Sequence, residues 1–155
     1  MLKTIDPVLS PDLLWVLAAM GHGDDLALVD ANHPAETIAA RTTSKRLVRL
    51  PGLTMERAAR AILSVLPLDE FVDDPVRRMQ MVGDPATVPD VQKHVQVEID
   101  RAAGRRVAIV GVERFEFYEA AKNAFAVVQV GDPRAYGCFL LRKGVIATEL
   151  AAPPR

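Results

Sequence analysis

The sequence predicts an α/β fold: a single compact domain in which a central β-sheet is flanked by helices. Two observations predict it. Segments with the apolar periodicity of helices alternate along the chain with short runs rich in β-branched residues. The 155 residues also show no repeat and no obvious linker, and a chain of this length can form one domain with a substantial core. Alternating helices and strands are typical of sheets covered by helices.

The first half of the chain is predicted to contain two helices and two strands. Ser10 can cap the first helix, Pro11 suits its first turn, and Gly21 is placed to end it. Thr54 can cap the second helix, and the run DLALVDA predicts a strand that is buried on both faces. In chain order, these elements are a helix at 10–21, strands at 25–31 and 45–50, and a helix at 54–66.

The second half is predicted to be richer in strands. The run VAIVGV is the clearest strand because of its β-branched residues, Gly104 can end the helix before it, and Asp132-Pro133 indicates a turn. The expected elements are a strand at 76–83, a helix at 89–104, a strand at 107–112, a short helix at 117–124, and strands at 124–131 and 139–147. The domain is therefore expected to span 1–147, with a loose tail at 148–155.

Composition excludes several classes of protein. The net charge of −1 gives no basic surface for nucleic acid or an anionic membrane. No apolar run approaches the ~18 residues of a membrane span, and the N-terminus lacks the apolar core of a signal peptide. Cys138 is the only cysteine, which excludes an internal disulfide and fits a cytoplasmic location. Neither GxGxxG nor GxxxxGK[ST] is present, so a nucleotide-dependent enzyme is not supported.

The stretch GHGDDLALVDANHP, residues 21–34, is the first candidate site. His22 lies in a glycine-flanked loop before the predicted strand, and Asp30 follows its apolar run. Histidine exchanges protons near neutral pH, and loops on rigid scaffolds often carry function. An ordinary helix end with a solvated His22 is the simpler interpretation. A metal site built from His22, Asp24, Asp30 and His33 is a third, although their spacing matches no known ligand pattern.

Two later motifs are further candidates. ERFEFYEAAKNAF, residues 113–125, gathers Tyr118 and two phenylalanines beside Arg114, and AYGCFLLRKG, residues 135–144, places Tyr136 before the start of a strand. From residue types alone, the phenylalanines favour a role in the core, Arg114 a surface position, and Tyr136 a structural role at the mouth of its strand.

Taken together, these motifs resemble the L-fucose mutarotase family, which is related to the D-ribose pyranases. The family pattern has an LSPELL helix, then GHGDE, an apolar strand and an Asp before xxFPA, and this chain matches it almost position by position. ERFEFYEAAKNAFAVVQVG and YGCFLLRKGV resemble the family's RFxFYERAxKAFAxVxTG and YGNxxLxKGV. The resemblance runs from residue 1 to about 147. This sequence departs from the family pattern at His33, where an aromatic residue is usual, and at Cys138, where the family has Asn.

The resemblance implies a small α/β isomerase of the ribose pyranase/fucose mutarotase type, which uses neither metal nor cofactor. It implies a homo-oligomer, such as a ring, with active sites near the subunit contacts, and a free monosaccharide as the partner. His22 falls on the family's proton donor and Tyr118 on its catalytic tyrosine. The implied substrate-binding positions are Asp30, Asp69, Arg114, Tyr136, Gly137 and Cys138.

The implied reaction interconverts the anomers of a free sugar, with L-fucose as the first expectation. The hemiacetal opens when a proton reaches the ring oxygen and another leaves the anomeric hydroxyl; rotation about C1–C2 and closure then give the other anomer. Such acid/base assistance contributes roughly 10²–10⁴-fold. Which of His22 and Tyr118 protonates the ring oxygen stays open. Two alternatives also stay open: a mutarotase for another aldose such as ribose, and a sugar-binding protein that has lost turnover.

Overall fold

The computed structural model describes residues 1–147, so the tail expected at 148–155 lies outside the described residues. Within that range, helices alternate with strands until the final strand pair. The helices are α1 (Pro11–Ala19), α2 (Ala35–Ala39), α3 (Met55–Leu63), α4 (Asp90–Ala103) and α5 (Arg114–Lys122). The strands are β1 (Asp25–Val29), β2 (Leu47–Leu50), β3 (Val76–Met79), β4 (Ile109–Val112), β5 (Ala126–Val130) and β6 (Phe139–Arg142).

The six strands form one mixed sheet in the order β2-β5-β1-β6-β3-β4, which confirms the predicted α/β class. The β1–β5, β2–β5 and β3–β4 pairs are parallel. β6 runs antiparallel to both of its neighbours, β1 and β3. Because Leu28 of β1 pairs with Phe139 of β6, the residues just after β1 lie beside those just before β6. This register brings the candidate residues of two distant motifs together at the carboxyl end of β1, next to the start of β6.

Helices cover both faces of the sheet, and β1 lies at its centre. Leu26 and Leu28 pack with side chains of α1, α3 and α4, whereas Ala27 and Val29 pack with α2 and α5. Alternate residues of a strand point to opposite faces, so these are two separate core layers. All four side chains are fully buried, which confirms that this strand is covered on both sides.

Most of the predicted helix caps are present. The side chain of Ser10 accepts a hydrogen bond from the backbone N–H of Leu13, and that of Thr54 from the N–H of Arg57. Gly104 ends α4 in the left-handed conformation, with φ of 68°. The prediction for Gly21 was wrong: α1 ends at Ala19, and its C-cap is Met20 in extended backbone.

Two helix predictions need correction. α2 was not predicted, because five residues are too few to show helical periodicity. α5 begins at Arg114 rather than 117, since the side chain of Glu113 accepts hydrogen bonds from the N–H groups of Phe115 and Glu116 and caps the helix there. Among the described residues, no helix is long and apolar enough to cross a membrane.

The predicted strands were too long at several ends. β3 ends at Met79, and β4 at the sheet's edge begins only at Ile109. β6 ends at Arg142. The backbone of Lys143 still pairs with Gly23 and Asp24, and its ammonium donates to the carbonyl oxygens of Leu17 and Met20, at 2.7 and 2.6 Å. The apolar run after Lys143 looks like strand in the sequence, but it is largely exposed.

Candidate functional site

A polar cluster lies at the carboxyl end of β1, where the chain leaves the strand at Asp30. Asp30 is buried, and its two carboxylate oxygens accept three hydrogen bonds. The N–H of Asn32 donates to Oδ1 at 2.8 Å, while the N–H of Gly137 and the Cys138 thiol donate to Oδ2 at 2.9 and 3.5 Å. The carboxyl group therefore ties the end of β1 to the start of β6.

Gly137 is the residue that makes this tie possible. A Cβ at this position would lie 3.3 Å from the Cβ of Asp30 and 3.3 Å from a methyl group of Val91. These contacts are tighter than a packed core normally allows, so a larger residue would push the loop away from Asp30. The glycine of the Tyr-Gly motif is thus explained by packing.

Tyr136 is held in a strained backbone conformation at the edge of the cluster. Its φ is 64°, in the left-handed region that residues other than glycine rarely adopt. Its hydroxyl accepts a hydrogen bond from the N–H of Val82 at 3.2 Å, and its carbonyl oxygen accepts one from the buried amide of Gln92 at 2.8 Å. Strain of this kind often occurs where a side chain must be presented to a ligand.

Tyr118 extends from α5 into the same cluster. Its ring packs edge to face against His33, with centroids 5.4 Å apart. Burial, followed by the neighbouring Cys138, raises the pKa of Tyr118 above its ordinary value. The hydroxyl is therefore protonated at neutral pH, and it can donate a hydrogen bond but is a poor base.

Arg114 begins α5 one helical turn before Tyr118. Its guanidinium lies over the ring of Phe115, 4.6 Å from the centroid, and Nε is buried without a hydrogen-bond partner. Within residues 1–147 it forms no ion pair with a carboxylate. A cation in this state has donor capacity left for a polar ligand.

The two residues that depart from the family pattern touch each other. The Cys138 sulfur lies 3.7 Å from Nδ1 of His33, although 105 positions separate them in the sequence. Burial lowers the pKa of His33 to about 4, so this ring is neutral at physiological pH. Burial also raises the pKa of the Cys138 thiol well above its usual range, with Asp30 adding to the effect, so Cys138 is not a nucleophile.

The Cys138 thiol has a single proton and lies within reach of both Oδ2 of Asp30, at 3.5 Å, and Nδ1 of His33, at 3.7 Å. The tautomer of His33 depends on which of these two atoms accepts that proton. The other ring nitrogen, Nε2, is buried with no hydrogen-bond partner among the described residues. The sequence alone indicates His33 only as a metal ligand or as the residue that replaces an aromatic.

The second polar site lies at the opposite, amino end of β1. Nε2 of His22 is 3.2 Å from Oδ2 of Asp69; the His22 side chain is 47% exposed, whereas that of Asp69 is buried. The backbone N–H of Phe71 donates to Asp69 at 3.0 Å, and this bond, followed by the contact with His22, lowers the pKa of Asp69. His22 is therefore a partly exposed imidazole with a buried carboxylate partner, not a freely solvated loop residue.

The two sites are far apart within one chain. β1 has five residues, which at the rise of a strand is about 17 Å, and it separates His22 from Asp30. The structure thus brings together Asp30, Arg114, Tyr118, Tyr136, Gly137 and Cys138, and it leaves His22 and Asp69 at the other end of the sheet.

The same geometry argues against the alternative metal site. Asp24 lies near the amino end of β1, where it accepts a hydrogen bond from the N–H of Gly21 at 2.7 Å. Asp30 and His33 lie beyond the carboxyl end, so the four proposed ligands do not converge. Across residues 1–147, no group of three or more His, Cys, Asp or Glu side chains is arranged to hold a metal ion.

Gln92 is a contributor that sequence analysis missed. It is buried on α4, where its amide donates to the carbonyl oxygens of Met79 and Tyr136, both at 2.8 Å. The available signal was its place between the apolar residues of α4, beside Val91 and one turn before Val95. A polar residue on the buried face of a helix needs hydrogen-bond partners in the core.

The fold and this polar cluster define the class of protein. The chain belongs to the RbsD / FucU transport protein family, whose pattern matches residues 3–146. It is 42% identical to the fucose mutarotase of Homo sapiens over 149 residues, which cover 94% of this chain and 95% of the human protein.

Solved structures agree with this assignment. The crystal structure of protein Atu2016 superimposes with a TM-score of 0.92 at 48% identity, covering 95% of this chain and 97% of that one. The fucose mutarotase of Streptococcus pneumoniae, solved in complex with L-fucose, gives a TM-score of 0.84 at 33% identity and covers 94% and 100% of the two chains. The expected family and fold are confirmed.

Proposed function

We propose that this protein is an isomerase that interconverts the α and β anomers of L-fucose. One observation carries the proposal: the chain resembles, over 94% of its length, a fucose mutarotase whose structure contains L-fucose. The polar cluster beside Tyr118 is consistent with it, because a sugar needs several convergent hydrogen-bonding groups.

The residues support distinct roles in ring opening. Tyr118, whose pKa is raised by burial, is a donor that can orient a sugar oxygen or pass a proton to it. Arg114 has unused donors, and Tyr136 is held at the rim by its strained backbone. Asp30 already accepts three of the roughly four hydrogen bonds that a carboxylate can accept, so its main role is to position the loop around Gly137.

His22 is proposed to exchange the proton at the ring oxygen. Asp69 accepts a hydrogen bond from one ring nitrogen and so orients the imidazole, while the partial exposure of the side chain leaves the other nitrogen available. In this proposal Asp69 acts through His22, although the resemblance also makes it a candidate sugar contact.

One sugar can meet both His22 and Tyr118 only if they come from different copies of the chain. We therefore propose a homo-oligomer in which the amino end of β1 in one subunit contacts the carboxyl end in the next. Exposed aromatics support this arrangement at both ends: Phe71 beside His22 is 75% exposed, and Phe115 beside Tyr118 is 62% exposed. Head-to-tail contacts of this kind close into rings when the rotation allows.

A cytoplasmic location is also part of the proposal. It rests on the single buried cysteine, which remains a thiol and contributes no disulfide.

Exchange spectroscopy by NMR tests the activity. The protein should accelerate the exchange between the two anomers of L-fucose more than that of D-ribose or D-galactose, and EDTA should leave the rate unchanged. Faster exchange of ribose would identify a pyranase. Binding of L-fucose without any acceleration would identify a sugar-binding protein.

A further inference from the structure

Among residues 1–147, Arg78 is a buried cation without a counter-ion. It lies on β3 and is only 9% exposed, and no Asp or Glu side chain of residues 1–147 lies within 4 Å of its guanidinium nitrogens. Its contacts are neutral: Nη1 donates to the side-chain oxygen of Gln92 at 3.1 Å, and Nη2 to the carbonyl oxygen of Pro85 at 3.4 Å. Buried charges in proteins are normally paired, and burial here lowers the pKa of Arg78.

This guanidinium borders a cavity with no acidic lining. The cavity has a volume of about 730 Å³ between α4 and the β3–β4 edge of the sheet, and Lys93 and Arg106 line it together with Arg78, Gln92 and Gln96. Lys93 and Arg106 are exposed and each contacts one carboxylate, Asp90 at 3.0 Å and Asp100 at 3.2 Å, outside the cavity lining. The charge of Arg78, in contrast, meets no carboxylate in the part of the chain that the structure describes.

We propose that this cavity binds a phosphate-bearing small molecule, with Arg78 as the principal contact. A guanidinium donates two parallel hydrogen bonds to a phosphate, and a phosphate monoester carries about −1.5 to −2 charges at neutral pH. One unpaired arginine flanked by two further cations is matched better by the charge of a phosphate monoester than by the single charge of a carboxylate.

The cavity is distinct from the candidate sugar site. Arg78 points to the face of the sheet covered by α4, because Val76 before it packs in that core layer, whereas Tyr118 belongs to the opposite face. Gln92 lies between them: it accepts from Arg78 and donates to the carbonyl oxygen of Tyr136. Gln92 lines the cavity and also holds the loop of Tyr136, so this one buried side chain links the two sites.

Titration calorimetry with inorganic phosphate tests the proposal, with sodium chloride at matched ionic strength as the blank. Saturable binding is expected for the wild type and an affinity about tenfold or more weaker for Arg78→Met, because charge-assisted hydrogen bonds are lost. This variant should fold, since methionine replaces a buried unpaired charge with an apolar chain.

A matched pair of surface variants keeps the test independent of Arg78. Arg106→Gln should weaken phosphate binding, whereas Arg105→Gln, the same change at the neighbouring exposed residue outside the cavity, should not. Equal affinities for wild type, Arg78→Met and Arg106→Gln would overturn the proposal. A wild type that binds no phosphate would also overturn it. If Arg78→Met in that case dissociates into smaller species, the counter-ion is an acidic side chain of a second copy.

Discussion

The two ends of β1 carry the two halves of the proposed site, and they differ in burial. At the carboxyl end, Asp30 is buried and is fixed by three donors, and Tyr118 packs against a buried, neutral His33. At the amino end, His22 is half exposed and has one polar partner, Asp69. One end is built to hold groups in fixed positions, and the other keeps an acid/base group in contact with its surroundings.

This difference explains how one small chain can combine two conflicting requirements. Positioning a sugar needs rigid, desolvated hydrogen-bonding groups, whereas cycling a proton needs a group that can change its charge easily. A single buried cluster would push the histidine towards its neutral form, as burial does for His33. In the proposed oligomer, the two ends come from different copies, which keeps these two environments separate until the subunits assemble.

Removal of the His22 imidazole, the proposed proton-exchanging group, should have the largest effect on activity. His22→Ala should lower kcat for anomer exchange by roughly 10²–10⁴-fold while sugar binding stays detectable, because acid/base assistance is lost but the carboxyl-end cluster is intact. Steady-state exchange rates by NMR and fucose binding by calorimetry measure the two quantities. The control is His94→Ala, an exposed histidine on α4. A near-normal rate for His22→Ala would mean that the acid is another group.

The buried end should instead respond through stability. The pKa of His33 is about 4 in the folded protein and near 6.5 when unfolded, so between these values the unfolded chain binds the extra proton. Above pH 6.5 the ring is neutral in both states, and this group does not lower the free energy of unfolding. As the pH falls from 6.5 towards 4, the free energy of unfolding decreases by about 3 kcal/mol in all.

His33→Phe removes this titration. Urea unfolding at pH 7 and pH 4 gives the loss of unfolding free energy between these two pH values. That loss should be smaller for His33→Phe than for the wild type by about 3 kcal/mol. His94→Ala should behave like the wild type, because its side chain is exposed. Equal losses for wild type and His33→Phe would show that His33 is not held neutral.

Asp69→Asn should have a smaller effect on the amino end. Loss of the charge-assisted bond to His22 should lower kcat about tenfold, which corresponds to about 1.4 kcal/mol, and leave KM nearly unchanged. Glu70→Gln, at the exposed neighbouring position, is the matched control. A raised KM with normal kcat would instead make Asp69 a direct contact of the sugar.

Cys138→Asn should give the smallest change, in the ranking of substrates. An amide at this position could contact a sugar hydroxyl or displace His33, with an effect of about 1 kcal/mol. The ranking of L-fucose, D-ribose and D-galactose should shift, and the shift should differ in a His33→Phe background because the two side chains touch. Unchanged ratios in both backgrounds would show that position 138 only packs.

Sequence reasoning predicted the elements that carry strong local signals. The continuous apolar run of β1, the caps at Ser10 and Thr54 and the glycine after α4 all determine local structure. It missed α2, which is too short for periodicity, and it extended β6 past Arg142 to residues next to Lys143, whose ammonium donates to the carbonyl oxygens of Leu17 and Met20. The residues that make these contacts are more than 120 positions apart in the chain.

The site was predicted as a set of residues but not as a geometry. Resemblance supplied His22, Asp30 and Tyr118, and the predicted strand already placed His22 and Asp30 at its two ends. The structure adds that Tyr118 lies with Asp30 and apart from His22. The register between β1 and β6 creates the contact between His33 and Cys138, which no local pattern indicates. The burial of Arg78 without a counter-ion from residues 1–147 is likewise a property of packing.

Complementation between two inactive variants tests the central claim most directly. His22→Ala and Tyr118→Phe are co-expressed with different tags, and mixed oligomers are purified through both. If each site takes His22 from one copy and Tyr118 from the next, random assembly restores about one quarter of the sites, and anomer exchange should recover to about that fraction of the wild-type rate. Co-expression of His22→Ala with the His22→Ala/Tyr118→Phe double variant should stay inactive. No recovery in the first mixture, with oligomers intact, would contradict the shared site.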